Sequence, residues 1–154
     1  MTDPQNYQIR PATAGDLGAV VALSQAWAAE GCTPGYPALS ADDERLQSWL
    51  DGGYFYVGTC QGAVIAFALG VVKLGKNAVF KPEGERFLHL LSVFVDIDHR
   101  EQGVGDRRGG DLLAKAEAAG VSRSMVGSNN VDWLRTQRFY QRHGYKMFSI
   151  EMIK

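Results

Sequence analysis

Apolar residues cluster in short stretches along this chain, and glycine-containing turns separate several of these stretches. Stretches of this length that are rich in β-branched and aromatic residues predict strands. Between two of them, Gln61 and Gly62 form the two-residue connection typical of a hairpin. Strands are therefore predicted at 7–10, 54–60, 63–72, 87–95, 121–127 and 145–153, the last with alternating apolar and polar positions.

Other segments repeat their apolar residues at helical spacing and have capping residues at their starts. Thr13 and Asp16 are both candidate caps for a first helix that runs through Trp27. Ser40 is the expected cap of a second helix, with acidic residues in its first turn. Further helices are predicted at 103–119, ended by Gly120, and at 133–143, closed by Gly144.

The strand predicted at 87–95 has Phe, Leu and Val at both parities, so both of its faces are expected to be buried. Arg100 follows it and then, at fixed spacing, Gly103 and Gly105 at the start of a predicted helix. A glycine turn there points backbone N–H groups in one direction, at the positive end of the helix dipole. The pattern indicates an anion site suited to the phosphate of a cofactor.

The glycine pair by itself leaves a simple turn open as the alternative to a phosphate site. A dinucleotide fingerprint normally lies in the first βα unit, with an acidic residue about 20 positions later, whereas these glycines come after a hairpin. A P-loop is excluded because no Gly-Lys-Ser or Gly-Lys-Thr follows.

Composition sets broad limits on this picture. The 154 residues are 45% hydrophobic and 21% charged, which fits one globular domain with a proper core. A net charge of −1 gives no general attraction to nucleic acid or anionic lipid. The N-terminal residues lack a signal-peptide core, and the apolar stretch 63–72 is too short for a membrane helix, so a cytoplasmic protein is expected. Cys32 and Cys60 have no metal-like spacing, so no metal is expected.

A second group of residues lies near the C-terminus, where Phe139 and Tyr140 precede Gly144 and Tyr145. Packing of aromatic rings and a helix cap at Gly144 explain three of these residues. Tyr140 is the residue that packing explains least well, which makes it a candidate for chemistry.

Together, these two segments resemble the GNAT superfamily of acetyl-CoA-dependent N-acyltransferases. Its hallmark is an arginine or glutamine, two residues, a glycine, one residue, and a glycine or alanine, which 100–105 satisfies. Residues 95–100 are similar to the valine-x-proline-x-x-arginine segment that leads into that motif in the family, with Ile97 where proline is common. Residues 139–145 resemble its C-terminal aromatic–glycine–aromatic motif, and the order of predicted elements matches along nearly the whole chain.

The resemblance implies one acetyltransferase-like domain over residues 1–154, of mixed α/β (α+β) class, with a bent, mostly antiparallel sheet and helices on both faces. It implies acetyl-CoA as acyl donor, a primary amine of a small molecule, peptide or protein as acceptor, and a homodimer as a frequent assembly. The donor is expected on a bulge of the central strand and on the amides that follow it. The cofactor-binding residues implied in this way are Val93, Phe94, Val95, Arg100, Glu101, Gln102, Gly103, Val104, Gly105 and Asp106.

The resemblance also gives catalytic roles to two side chains. Tyr140 matches the family's general acid for the CoA thiolate, and proton transfer from a phenol of pKa near 10 to a thiol near 8.5 is about 2 kcal/mol uphill. His89, on the strand face predicted to carry Leu91 and Val93, is the candidate base for the incoming amine. A core histidine is the alternative for His89, because a water chain can also deprotonate the amine.

The acceptor pocket is implied between the first two helices, at 27–49. Acidic residues beside aromatic rings suit a cationic amine, although acids at a helix N-terminus explain the same pattern. His99 and His143 flank the motifs and are expected at the surface. The acidic and aromatic residues of the implied pocket are Glu30, Asp42, Asp43, Glu44, Trp27, Tyr36 and Trp49.

The chain departs from the family pattern in two places. Gly109 and Gly110 interrupt the predicted cofactor helix, where glycine costs about 1 kcal/mol relative to alanine, so an irregular or closely packed first turn is expected. The family's asparagine before the last helix has no clear equivalent, and Asp132 and Trp133 occupy that place. A catalytically silent acyl-CoA-binding sensor or partner module is therefore the alternative function, while the order of elements disfavours a nucleotide-binding module.

Overall fold

The computed structural model describes residues 7–31, 37–76, 83–100, 104–128, 130–150, 152 and 154. In chain order its strands are β1 (Tyr7–Pro11), β2 (Phe55–Cys60), β3 (Ala63–Leu74), β4 (Arg86–Val95) and β5 (Arg123–Val126). Its α-helices are α1 (Leu17–Gly31), α2 (Arg45–Gly52), α3 (Val104–Ala118) and α4 (Trp133–Arg142). Short 3-10 turns precede α1 and follow β4, at Ala14–Asp16 and Ile97–His99.

The strands form one sheet in the order β1-β2-β3-β4-β5. Neighbouring strands run antiparallel from β1 to β4, whereas β4 and β5 pair in parallel. The turn between β2 and β3 has Gln61 at φ 50° and Gly62 at φ 83°, left-handed values that match the strand twist in a tight hairpin. The predicted hairpin and the mixed, mostly antiparallel sheet are confirmed.

Helices cover both faces of the sheet, and each face has its own core. On one face α1 buries Val20 and Leu23, and on the other α3 buries Leu112 and Ala116. Removing apolar surface from water stabilises both layers, at about 25 cal/mol per Å². The buried sheet residues of the α1 core are Phe55, Val57, Phe67, Leu69 and Phe94, and those of the α3 core are Ala68, Leu88 and Leu90.

β4 contains a bulge at Leu91. Two consecutive β3 residues pair with Leu90 and Ser92, so Leu91 between them is an extra residue. The extra residue shifts the alternation of faces: Leu90 and Val93 pack in the α3 core, whereas Leu91 packs in the α1 core. The prediction that Leu91 and Val93 share a face is therefore wrong, because it assumed an unbroken period of two.

A charged network joins β1 to the start of α1. The Arg10 guanidinium donates to both oxygens of the Asp16 carboxylate at 2.7 and 2.8 Å, and the N–H and hydroxyl of Thr13 each donate to it at 2.8 Å. Asp16 is buried, and the hydrogen bonds from Arg10 hold the pKa of its carboxyl well below the usual range. Its contribution to stability is therefore complete above the ordinary aspartate pKa and is lost as the pH falls below about 4.

α2 begins later than the sequence predicts. The Asp43 carboxylate accepts from the N–H of Arg45 at 3.1 Å and from its guanidinium at 2.7 and 2.9 Å. Ser40 instead opens a turn, because its carbonyl accepts from the N–H of Asp43 at 3.1 Å. The acidic residues predicted in the first turn of the helix, Asp42, Asp43 and Glu44, therefore lie just before it.

The strand predicted at 145–153 is not formed over the described residues 145–150, and Glu151 and Ile153 lie outside the described ranges. The side chains of Met147, Phe148 and Ile150 are exposed. Alternation expresses the fit of a strand to a half-buried surface, and side chains this exposed are not part of one. The prediction of a final strand is wrong for this part of the chain.

Candidate active site

An open groove lies where β5 stops pairing with β4. The parallel pairing ends at Leu90 and Val126, and the second half of β4 continues past that point. The groove has a volume of about 960 Å³ and is bordered by β4, the end of α1 and α4. Its lining residues include Trp27, Glu30, Leu91, Ser92, Val93, Phe94, Val95, His99, Arg100, Asp132 and Tyr140.

The backbone of β4 turns part of its edge toward this groove. The N–H of Asp96 donates to the carbonyl of Ile65 on β3 at 2.8 Å. Because N–H directions alternate along an antiparallel ladder, the N–H groups of Val93 and Val95 face away from β3, toward the groove. A backbone N–H in that position is a suitable donor for a developing negative charge. The bulge expected in this strand is present, just before these residues.

α4 brings Tyr140 to the groove. The Asp132 carboxylate accepts from the N–H of Arg135 at 3.2 Å and caps the start of this helix. The ring of Tyr140 packs edge-to-face on Phe139 and Tyr145, with centroids 5.0 and 5.5 Å apart, and contacts the α3 core. Burial raises the pKa of the Tyr140 hydroxyl above its ordinary value, so the phenol stays protonated at neutral pH.

The chain turns sharply after α4 and contacts β5. Gly144 has φ 83°, and the N–H of Tyr145 donates to the carbonyl of Tyr140 at 3.1 Å. The Tyr145 hydroxyl and the Ser124 hydroxyl are hydrogen-bonded at 2.8 Å. These contacts fix the end of the helix that carries Tyr140.

Arg100, the first residue of the glycine motif, is engaged by three neighbours. Its Nε donates to the carbonyl of Val95 at 3.0 Å, and its Nη2 donates to Glu30 Oε2 at 2.5 Å. Its guanidinium carbon lies 5.4 Å from the ring centroid of Phe94. The side chain therefore joins the end of β4 to the end of α1 along the wall of the groove.

The predicted anion site lies only partly within the described residues. Val104, Gly105 and Asp106 form the first described turn of α3, whereas Glu101, Gln102 and the predicted helix start at Gly103 lie outside the described ranges. The helix ends as predicted, with Gly120 at φ 81°. Binding of a phosphate at 101–106 stays a prediction.

α3 runs through Gly109 and Gly110 as an unbroken helix. A Cβ added at Gly109 would lie 3.7 Å from Cε1 of His143, an ordinary van der Waals distance, so alanine would also fit there. The irregular first turn, one of the two expected outcomes, is not observed from Val104 onward. His143 is half-buried, and its expected surface position is wrong because its ring packs 5.1 Å from that of Phe139 and lies opposite Gly109.

His89 lies in the first half of β4. The β4 residues that line the groove begin at Leu91, two positions later. The Lys73 ammonium lies 3.0 Å from Nδ1 of His89. An ammonium can only donate, so Nδ1 of His89 accepts in this contact. The role of His89 as a base stays a prediction.

The structure divides the acidic and aromatic residues implied for the acceptor pocket. Trp27 and Glu30 line the groove. Asp43 binds Arg45, whose guanidinium lies 4.9 Å from the ring centroid of Trp49. Asp43, Arg45 and Trp49 therefore lie at or near the start of α2. This agrees with the alternative explanation, in which the acidic residues belong to a helix N-terminus.

His99 is a groove residue that the sequence did not identify. It is half-buried rather than on the surface, with Nδ1 3.5 Å from Asp96 Oδ1 and its ring edge-to-face with Tyr7 at 6.1 Å. Its place between the strand and the glycine motif was the available signal, but its burial depends on β1, which is distant in sequence.

One of the two cysteines lies in the described part of the chain. Cys60 is buried among Ile65 and Ala66 as a packing residue, whereas Cys32 and Tyr36 lie outside the described ranges. Within those ranges, no three histidine, cysteine or acidic side chains form a metal-binding group. None of the helices described is both long and apolar enough to span a bilayer.

Comparison with known proteins gives a family match. Residues 51–147 match the family model described as Acetyltransferase (GNAT) domain, which is more than half of the chain. None of the curated protein sequences matches significantly. The structure is similar to a GCN5-related N-acetyltransferase from Ralstonia eutropha JMP134, at 24% identity and a TM-score of 0.72 over 96% of this chain and 97% of that one.

Two other solved structures have the same fold. One is the aminoglycoside N-acetyltransferase AAC(6')-Iy in complex with CoA, 16% identical, with a TM-score of 0.73 over 96% of this chain and 93% of that one. The other is glucosamine-6-phosphate N-acetyltransferase from Arabidopsis thaliana, 16% identical, with a TM-score of 0.71 over 96% and 97%. At these identities the likeness establishes the fold and confirms the predicted architecture. With the family match over 51–147, it follows that the chain belongs to the GNAT acetyltransferases, the acyl-CoA-dependent N-acetyltransferases.

Proposed function

We propose that the protein transfers the acetyl group of acetyl-CoA directly to the primary amine of a small molecule, a peptide or a protein. The observation that carries the proposal is that Tyr140 and the open edge of β4 at Val93 line the same groove. Direct transfer needs a donor for the oxyanion and an acid for the leaving thiolate. The groove supplies one candidate for each task.

The donor is proposed to lie along the second half of β4, with its pyrophosphate on the amides of 101–106. The first turn of α3 starts in this segment, and the N–H groups of a first helical turn have no partners within the helix. The pantetheine arm would fit beside β4 past Leu90, where pairing with β5 ends. A similar structure was solved in complex with CoA, which supports a donor of this type.

The acyl transfer is proposed to proceed without a covalent enzyme intermediate. The amine nitrogen attacks the thioester carbon, the C–N bond forms, and the N–H of Val93 donates to the oxyanion. The C–S bond then breaks, its electron pair leaves with sulfur, and Tyr140 protonates the thiolate. His89 and a chain of water molecules are the two candidates for removing the proton from the nitrogen.

Burial of Tyr140 changes the energetics of the last step. Ordinary pKa values make the transfer from phenol to thiolate about 2 kcal/mol uphill. Burial raises the pKa of Tyr140 and makes donation costlier. A thiolate in the same groove is also desolvated, which raises the pKa of the thiol, so the two effects partly cancel.

The acceptor is proposed to enter beside the end of α1, where Trp27 and Glu30 line the groove. A carboxylate beside an aromatic ring suits an alkylammonium group. The names of similar structures include acetyltransferases of aminoglycosides and of glucosamine 6-phosphate, so small-molecule amines are the first acceptors to test.

Calorimetry with acetyl-CoA and an assay for free CoA thiol test the proposal. The acceptors are kanamycin, glucosamine 6-phosphate, spermidine and a lysine-containing peptide, and NAD and ATP serve as control ligands. We expect acetyl-CoA to bind, the control ligands not to bind, and at least one amine to release thiol. Failure of acetyl-CoA to bind would refute the proposal.

A silent acyl-CoA-binding module has one observation in its favour. Asp132 caps α4 and Trp133 is 59% exposed at the place of the family's asparagine, so the pantetheine amides would need other partners. Tight acetyl-CoA binding without transfer to any of the four amines would favour this alternative.

A further inference from the structure

The pairing of Arg100 with Glu30 is not required by the proposed phosphate site. Arg100 precedes the segment expected to bind phosphate, yet its Nη2 donates to a carboxylate at the end of α1. The two side chains are only 24% and 28% exposed. A pair shielded to this extent is screened less by salt than a surface pair, and loss of one partner leaves the other charge partly buried.

The same guanidinium also holds β4. Its Nε donates to the Val95 carbonyl at 3.0 Å, and it lies over the ring of Phe94. Phe94 in turn packs against Trp27, with ring centroids 6.0 Å apart, one turn before Glu30 on α1. The hydrogen bonds of Arg100 and the ring contact between Trp27 and Phe94 therefore both connect the end of α1 to the groove-lining half of β4.

We propose that Arg100 and Glu30 form a strut that sets the distance between the α1 wall of the groove and the acyl-transfer strand β4. Arg100 is then a positioning residue for the acceptor, and its guanidinium is not a ligand of the donor phosphates. The inference rests on the proposed acetyl transfer. The Arg100 guanidinium donates to its two acceptors from separate nitrogens, Nε and Nη2, whereas the three donors of a lysine ammonium share one nitrogen.

The strut separates effects on the acceptor from effects on the donor. Loss of the strut displaces the wall that carries Trp27 and so misplaces the amine relative to the thioester. The KM for the amine should rise about tenfold in Arg100→Gln, the size of one charge-assisted hydrogen bond. Acetyl-CoA affinity and its dependence on salt should stay at wild-type values, because the guanidinium does not contact the donor.

Hydrogen–deuterium exchange tests the strut without any acceptor. The variants are Arg100→Gln, Glu30→Ala and their combination, and the readout is the peptide that covers 25–31 at the end of α1. Arg123→Gln is the matched control, since Arg123 pairs with Glu85 at 2.7 Å in an exposed position outside the groove. We expect faster exchange in both single variants, no further increase in the double variant, and wild-type exchange in the control.

Steady-state kinetics use acetyl-CoA and whichever of kanamycin, glucosamine 6-phosphate, spermidine and the lysine peptide gives the highest kcat/KM. We expect the amine KM to rise by similar factors in both single variants and no further in the double variant. Arg100→Lys keeps the positive charge but lacks the separate donor nitrogens of the guanidinium. Its KM for the amine should therefore lie between those of the wild type and Arg100→Gln.

Weaker acetyl-CoA binding with a smaller salt dependence in Arg100→Gln, together with wild-type exchange at 25–31, would overturn the strut and assign the guanidinium to the donor phosphates. Additive effects in the double variant would also overturn it. If the wild-type protein binds no acetyl-CoA, the proposed function fails, and the exchange comparison still decides whether the strut exists.

Discussion

The two halves of β4 differ in their neighbours. Residues 87–90 have β3 on one side and β5 on the other, whereas 91–95 have β3 on one side and the groove on the other. The first half places Leu88 and Leu90 in the α3 core. The second half lines the groove and turns the N–H of Val93 toward it. One apolar strand thus supports the core along both halves and also borders the candidate active site from Leu91 onward.

The boundary between these halves coincides with the bulge at Leu91 and with the last residues of the β5 pairing. Backbone donors that lose a neighbouring strand must find another partner, such as water or a ligand. The groove therefore gains hydrogen-bond donors because one strand ends early, without any special side chain. Variants on either side of Leu91 should separate stability from catalysis.

Tyr140→Phe should have the largest effect, on the groove side of this comparison. We expect kcat to fall about 10²–10⁴-fold, the usual cost of losing a general acid. Acetyl-CoA affinity should be unchanged, because phenylalanine keeps the ring packing on Phe139 and Tyr145. Calorimetry and the CoA-thiol assay measure the two quantities. Wild-type turnover would leave Tyr140 with a packing role alone.

Leu88→Ala should act on the other half of the strand. Leu88 is 0% exposed, and truncation of such a residue costs about 2–5 kcal/mol of unfolding free energy. Urea denaturation measures this loss, and kinetics well below the melting temperature should give wild-type kcat and KM. A large fall in kcat without a loss of stability would contradict the division of β4.

Gly105→Val tests the turn that follows the groove-lining half. A branched side chain there would crowd a bound phosphate, so acetyl-CoA affinity should fall at least about tenfold, while the unfolding free energy changes little. Gly110→Ala in the same helix is the control, because a Cβ at that position meets nothing within 4 Å. Equal calorimetric affinity in the two variants would remove the basis for an anion site at 101–106.

The pH dependence of kcat/KM sharpens the assignment of Tyr140. An acid is active below its pKa, and burial raises the pKa of this phenol, so its active range extends upward. We expect no loss of rate from Tyr140 up to about pH 10. A basic limb below that pH that disappears in Tyr140→Phe would show that the phenol ionises in its ordinary range.

His89→Gln should have the smallest effect. It is also the variant that could most directly contradict the assignment of chemistry to the second half of β4 alone. Nδ1 of His89 accepts from Lys73, and the groove lining begins only at Leu91, so we expect kcat/KM to change less than about threefold. The acidic limb of its pH profile should persist. A flattened limb with unchanged acetyl-CoA affinity and melting temperature would establish His89 as the base and extend the chemistry into the first half of β4.

Local signals in the sequence were enough to predict most elements. Gln61 and Gly62 specify the hairpin through their left-handed conformations, and Gly120 and Gly144 end α3 and α4 for the same reason. The spacing of Arg100 and the glycines correctly located the strand-to-helix junction. Each of these features depends on residues adjacent in the chain.

Features that depend on distant residues were missed. The partner of Arg100 is Glu30, 70 positions away, and no local pattern connects them. His99 is half-buried beside Tyr7 of β1, which a reading of its own neighbours cannot show. The final strand was predicted from alternation alone, and alternation does not reveal whether a neighbouring surface exists. A uniformly apolar strand likewise conceals the position of its bulge.

The extra residue at Leu91 also affects how β4 should be compared between relatives. Without a bulge, Leu90 and Val93 would share a face with one residue fewer between them. An alignment without a gap at this point would match Val93 to a residue that faces the opposite core. A one-residue deletion at Leu91 would therefore keep Val93 and Phe94 on their present faces but would remove the contact that Leu91 makes in the α1 core.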